Sequence, residues 1–213
     1  MIPGFAVRPA RPEELAAVCK LRVSAYERHP YLRTMSASLA KCDQYDADGV
    51  TTTYVAVNGH DLLGTIRVIE SERRRAYYPR DMLRAVPTPD CLKYPHLHLD
   101  RFAVEADASV APFLVKAAIL HAEANGYGYG TAVVKPAAAR LYKRLGAMMP
   151  EFDGCTFDYG RKGVDSRVML VSSKGREDLL KISPTYYHDF FVCKHPFIEV
   201  AHEPTIWPEE VTA

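Results

Sequence analysis

The chain has 213 residues, 48% hydrophobic and 25% charged, with a formal net charge of +1 and a pI near 7.7. That mix suits a folded globular chain and excludes both intrinsic disorder and a whole-chain basic footprint for nucleic acid. No stretch approaches the roughly 18 apolar residues of a membrane span. The best candidate, around Phe113 to Leu120, is broken by Lys116, and Met1-Ile2-Pro3-Gly4-Phe5 lacks the basic and apolar regions of a signal peptide.

Phe5-Ala6-Val7-Arg8 alternates as a short first strand. Pro12, Glu13 and Glu14 open a helix, since proline fits a first turn and the acids complement its dipole. Leu15, Val18, Cys19, Arg22, Val23 and Tyr26 follow at helical spacing to about Glu27, and His29-Pro30 ends the run. A weaker helical stretch covers Leu32 to Ala40, and Lys41 to Val50 reads as a polar, acidic turn region. Thr51 to Val57 is rich in β-formers, Asn58-Gly59-His60-Asp61 signals a hairpin, and Leu62 to Glu70 returns as the partner strand.

An arginine-rich loop with Pro79, Pro87, Pro89 and Pro95 comes next, then a strand from His96 to Val104. The helix expected over Val110 to Ala124 carries Val110, Phe113, Leu114, Ala117 and His121 on one face, and Gly126, Gly128 and Gly130 break it. Thr131 to Val134 is a short buried strand. Pro136 starts a helix that reaches Leu145 and stops at Gly146. Thr156–Tyr159 and Arg167–Ser172 are further strands, and the Pro- and aromatic-rich tail from Lys174 has no assigned element. The order predicts a mixed α/β sheet covered on both faces, in one domain over 1–213 with an irregular extension over 174–213.

Cys19, Cys42, Cys91, Cys155 and Cys193 are scattered and odd in number, which points to reduced thiols in a cytoplasmic protein. His188, Cys193 and His195 lie close in sequence but match no metal-ligand spacing, so no metal is expected. Between Arg67 and Arg84 six arginines face three acids. Arg73-Arg74-Arg75 at its centre is either a solvated loop or a docking patch for an acidic partner.

The order of elements resembles the GNAT acyltransferase superfamily. Ala138 to Ala147, with Tyr142 at its centre, is similar to that superfamily's A-x-x-L-Y-x-x-L-G-F helix, whose tyrosine protonates a departing thiolate. The usual Gly-rich pyrophosphate turn is replaced by Glu105-Ala106-Asp107-Ala108-Ser109-Val110, which has no glycine and two carboxylates. One branch shares that departure: the N-acyl-homoserine lactone (autoinducer) synthases and N-acyl amino acid synthases. Arg22-x-x-x-Tyr26 resembles its R-x-x-x-F, Asp43-Gln44-Tyr45-Asp46 its D-x-Y-D, Gly64-Thr65-Ile66-Arg67 its G-x-x-R, and Leu99 to Val104 its E-L-S-R-F-A-V. His98 stands where glutamate is frequent, and Leu32 where homoserine lactone synthases carry tryptophan, which argues against S-adenosylmethionine as acceptor.

The resemblance implies a single GNAT-like α/β domain that moves a fatty acyl group from a pantetheine thioester to the amine of an amino acid or related small amine. Acyl carrier protein is the implied donor and partner, with acyl-coenzyme A the alternative co-substrate; no permanently bound cofactor, nucleic acid or membrane span is implied. His98, Tyr142 and Asp46 are the catalytic candidates. His98 is an imidazole able to accept a proton near pH 7, or else a packed strand histidine. Arg22, Tyr26, Asp43, Arg67 and Arg101 would shape the acceptor pocket or pin the N-terminal third by ion pairing. Phe102, Ala103 and Val104 would bind pantetheine through backbone groups freed by a bulge, and Arg73, Arg74 and Arg75 would dock the carrier protein. Two other readings stand beside it: an acetyl-coenzyme A acetyltransferase with a degenerate phosphate loop, and a non-catalytic acyl- or partner-binding module.

Overall fold

A computed structural model describes residues 4–28, 44–47, 51–70, 97–105, 108–127, 129–134, 156–158, 165–172, 180–181, 184–188 and 192–202. The expected helices at 32–40 and 136–145 and the arginine-rich loop lie outside the described residues, as do Asp43, Arg73, Arg74, Arg75 and Tyr142. The chain forms two compact units: Met1–Ile69 with Leu99–Asn125 and His195–Ala213, and Glu70–His98 with Gly126–Lys194.

The first unit is built on β1 (Ala6–Pro9), α1 (Leu15–Glu27), α2 (Gln44–Ala47), β2 (Thr51–Asn58), β3 (Asp61–Glu70), β4 (Leu97–Val104) and α3 (Ala111–Ala124). The first residues of β4 and the last of β3 count with the second unit. Strand order is β1-β2-β3-β4. β1 and β3 both run antiparallel to β2, with Val7 opposite Ala56 and Thr53 opposite Arg67. Gly59 takes φ +59 at the first loop position of the β2–β3 hairpin, where a two-residue turn requires a positive φ. The polar turn region expected over 41–50 contains the single helical turn α2.

Entry to α1 is fastened by Glu14. Its carboxylate accepts the Arg11 backbone N–H at 2.8 Å and a two-pronged grip from Arg8 at 2.6 and 2.8 Å. The Arg8 hydrogen bond holds the Glu14 carboxyl below its ordinary value of 4.5. A carboxylate lowered in the folded state stabilises above the unfolded value, and that gain fades as pH falls through the folded one. Glu14→Gln is therefore expected to cost about 1 kcal/mol at pH 7 and progressively less below pH 4.5, read from urea unfolding.

Side chains alternate across β2, so Thr51, Thr53, Val55 and Val57 face α1 while Thr52, Tyr54 and Ala56 face α3. Val55 and Val57 pack with Ala10, Leu15 and Val18. On the other face, the Tyr54 hydroxyl lies 3.0 Å from His121 Nδ1, both residues fully buried. Gly64 lets α3 and β4 approach β3: a Cβ there would stand 2.8 Å from Leu114 Cδ1, 3.0 Å from Val104 Cγ1 and 3.2 Å from the Ala103 carbonyl. Gly64→Ala is expected to destabilise by about 1–3 kcal/mol through overpacking, seen as an earlier urea midpoint.

The buried surface of α3 is wider than the stripe read from sequence. Ala111, Leu114, Val115, Lys116, Ala117, Ala118 and His121 are buried, while Phe113 is only partly so. The reason is the tail. Val7 N–H donates to the Phe197 carbonyl at 2.7 Å and Glu199 N–H to the Val7 carbonyl at 2.8 Å, covering the edge of β1. Phe197 and His195 then pack on Phe113, with centroids 5.2 and 5.4 Å away, and Lys116 Nζ meets His195 Nδ1 at 2.8 Å. Ala201 N–H donates to the Tyr54 hydroxyl at 3.0 Å.

Cys19 is disulfide-bonded, which corrects the expectation of reduced thiols throughout. Sequence separation does not report proximity in space, and among the described cysteines Cys193 forms no disulfide.

The second unit holds β5 (Tyr129–Val134), β6 (Thr156–Asp158), β7 (Asp165–Ser172) and the one-turn α4 (Pro184–Tyr187). The strand order is β5-β7-β6, antiparallel throughout, with Ala132 opposite Met169. β5 starts at Tyr129, earlier than expected, so Gly130 belongs to a strand and does not act as a breaker. The Tyr127 hydroxyl donates to Glu70 Oε2 at 2.9 Å in a buried pair. Among the described residues no helix is long and apolar enough to cross a membrane, and no group of side chains could hold a metal.

Candidate functional site

Arg22 follows Val18 by one helical turn, and Tyr26 follows Arg22 by another, so the stripe of α1 that packs on the sheet turns from apolar to polar toward its C-terminus. Opposite it, the β2–β3 register sets Arg67 beside Thr53 on the same sheet face. Both guanidinium groups are fully buried. Burial at that depth demands an anion, and α2 supplies the also fully buried Asp46. Asp46 Oδ2 lies 3.0 Å from Arg67 Nη1 and 3.4 Å from Arg22 Nη1. The other edge of Arg67 is closed by Asp100 of β4: Nε and Nη2 each donate at 2.7 Å to one carboxylate oxygen. The Tyr45 ring lies under the guanidinium, 5.8 Å from its carbon.

Arg101 has φ +51, the left-handed region that residues with a Cβ seldom enter. This bulge-like twist explains why two consecutive residues serve one site. A regular strand sends neighbours to opposite faces and would separate Arg101 from Asp100. Here the charges of both act on the Tyr26 hydroxyl, together with Arg22 and Arg67. Tyr26 keeps part of its surface in solvent, yet desolvation pushes its phenol above the ordinary value of 10, opposed by Arg22 and Arg101. Desolvation likewise pulls Arg22 down, countered by Asp46 and reinforced by Arg67.

Five of the residues singled out in the sequence thus meet in one cluster: Arg22, Tyr26, Asp46, Arg67 and Arg101. Asp100 and Tyr45 complete it and were not singled out, although both sit inside the quoted L-D-R-F-A-V and D-Q-Y-D motifs. His98 is buried on β4, two residues before Asp100. Of the three residues expected along the donor arm, Ala103 is buried and Phe102 and Val104 are partly so; the Val104 carbonyl accepts from Arg28 Nη2 at 2.8 Å. Arg28 also pairs with Glu105, at the place of the missing glycine-rich turn.

The fold matches solved acyltransferases. The structure of FeeM, an N-acyl amino acid synthase from uncultured soil microbes, superposes with a TM-score of 0.58 at 17% identity, covering 83% of this chain and 96% of that one. BjaI, a coenzyme A-dependent acyl-homoserine lactone synthase held with S-adenosylmethionine and isopentyl-coenzyme A, gives 0.63 at 14% identity over 95% of each chain. A Drosophila melanogaster polyamine N-acetyltransferase gives 0.55 at 15%, covering 79% of this chain and 99% of its own. The α/β sheet is therefore of GNAT type, as expected. No curated protein sequence matches the chain. The model of the N-acyl amino acid synthase FeeM family matches residues 17–152, a span that runs from α1 through the charged cluster and past β5. With the cluster inside the matched span and the fold shared, the chain belongs to the FeeM N-acyl amino acid synthase family and is an N-acyltransferase.

Proposed function

We propose that the protein transfers a fatty acyl group from the pantetheine thioester of acyl carrier protein to the amine of an amino acid or related small amine, in the cytoplasm where that donor is made. The observation that carries the reading is the buried, mixed-charge cluster of Arg22, Asp46, Arg67 and Asp100, which lies within the span matched by the family. In the proposed reaction the neutral amine attacks the thioester carbonyl, its excess proton passing to His98. The tetrahedral adduct then collapses, the C–S bond breaks, and the thiolate takes a proton from Tyr142. Arg22, Tyr26, Asp43, Arg67 and Arg101 form the acceptor side with Asp46 holding the arginines. Backbone groups of Phe102, Ala103 and Val104 carry the pantetheine arm, and Arg73, Arg74 and Arg75 steer the acidic carrier protein.

Acyl-coenzyme A is the alternative donor, favoured by the coenzyme A dependence of the acyl-homoserine lactone synthase BjaI. Mass spectrometry of lipid extracts from expressing cells is expected to show a new family of N-acylated amines. Purified protein offered matched acyl-carrier-protein and acyl-coenzyme A thioesters then identifies the donor. Turnover with the carrier thioester that falls steeply with salt supports the docking patch. Turnover with coenzyme A thioesters alone replaces the donor assignment, and extracts identical to the empty-vector control overturn the reading.

A further inference from the structure

Cys19 is disulfide-bonded and lies on α1, one turn before Arg22, about 4.5 Å away along the helix axis. Its side chain is half-buried and packs beside Ala10, Leu15, Val18, Val55 and Val57, at the rim of the contact between α1 and the sheet. Within the chain the partner is Cys42, Cys91 or Cys155, since Cys193 forms no disulfide. Cys42 belongs to the first unit with Cys19, whereas Cys91 and Cys155 belong to the second. Chain reach agrees. Asp46 Oδ2 lies 3.4 Å from Arg22 Nη1, and Cys42 precedes Asp46 by a stretch of chain that spans at most about 14 Å. A disulfide needs its two Cα atoms within about 7 Å, which that stretch allows.

Disulfides are rare where cellular thiols stay reduced, and those found there are mostly transient and redox-sensing. A donor made in the cytoplasm places the enzyme in that setting. Resting on the acyl-transfer reading above, we propose that Cys19 and Cys42 form a reversible disulfide that turns acyl transfer on when oxidised, by holding α2 and its Asp46 against α1. Asp46 is the anion shared by two fully buried guanidinium groups, yet the α2 that carries it is a single helical turn. One turn is not stable by itself, so its place depends on what fastens the chain on either side. β2 fastens it from Thr51 onward, and the disulfide fastens the side before it. A dithiol reductant breaks the S–S bond: the dithiol is oxidised to its own disulfide, and its two electrons and two protons leave Cys19 and Cys42 as thiols. With that tether gone Asp46 leaves its partners more often, and Arg22 and Arg67 repel each other unscreened.

The test poises the purified full-length chain in graded ratios of reduced to oxidised dithiothreitol. Thiol content, acyl transfer and deuterium uptake of the peptide that contains α2 are read at each ratio, with circular dichroism to follow the fold. Peptide mapping of the oxidised protein is expected to link Cys19 to Cys42. Reduction is expected to lower transfer by at least about tenfold and to speed α2 exchange by about as much, both reversibly and with the midpoint of the Cys19 thiol titration. Cys19→Ser is expected to stay at the reduced level at every ratio, whereas Cys193→Ser keeps the full response. If Cys19→Ser does not fold, reduced wild type decides by itself. A link from Cys19 to Cys91 or Cys155, or equal transfer by both redox forms, overturns the proposal. So does global unfolding on reduction, which makes the bond a structural staple. Absence of transfer in both forms overturns the acyl-transfer reading instead, and α2 exchange then judges the switch: a rate unchanged by reduction overturns it too.

Discussion

Replacing Arg67 by methionine is expected to lower the melting temperature by about 10 °C. The guanidinium is fully buried between Asp46 and Asp100, with contacts at 3.0, 2.7 and 2.7 Å. Methionine approximates its volume but takes away the 3.0 Å contact of the fully buried Asp46 carboxylate, whose contact to Arg22 is longer, at 3.4 Å. Breaking a buried pair from one side costs about 3–5 kcal/mol because the remaining charge is stranded, and a chain of this size loses about 2–4 °C per kcal/mol. Asp100→Asn is expected to cost far less, since that side chain retains 18% exposure and water can take over its bonds. Arg67→Lys should resemble methionine more than wild type, because a single ammonium cannot reproduce the fork. Thermal unfolding followed by circular dichroism at pH 7 checks the order. Equal losses for Arg67→Met and Asp100→Asn would contradict it.

Arg101→Ala is expected to abolish acyl transfer, by at least about 100-fold, while leaving the protein folded. Arg101 holds a left-handed backbone at φ +51, a strain of about 1–2 kcal/mol for a residue with a Cβ, in order to bring its charge to the Tyr26 hydroxyl. Strain kept at one residue beside a charged cluster suggests that the side chain earns its place through activity. Arg101→Gly separates the two roles. It is expected to be as inactive as alanine yet more stable than alanine by about 1 kcal/mol, because glycine adopts this φ freely. Product formation by mass spectrometry and urea midpoints, measured on the same preparations, read both effects. If both variants lose solubility and stability together, Arg101 is a structural ion-pair partner instead.

Much of the first unit was legible because its signals are local. Proline with two acids marked the entry to α1, its helical spacing marked Arg22 and Tyr26, and Asn-Gly marked the hairpin whose register sets Arg67 opposite Thr53. The motif resemblance added Asp46 and Arg101, and both lie in the cluster. Alternation failed at Arg101, since a bulge-like backbone does not show in residue types when the positive φ is carried by arginine. The breadth of α3 burial failed for a different reason: the surface that covers Phe113 and Lys116 comes from the tail at 195–201, about 80 positions away.

The sequence by itself determined the elements of the α/β fold, the family, and the residue types of the charged cluster, because helical period, strand alternation and turn chemistry act over a few neighbouring positions. Only the tertiary structure decided which charges pair. Arg22 meets Asp46 across 24 positions and Arg67 meets Asp100 across 33, distances over which chain separation carries no geometric information. That pairing is also what closes both edges of Arg67.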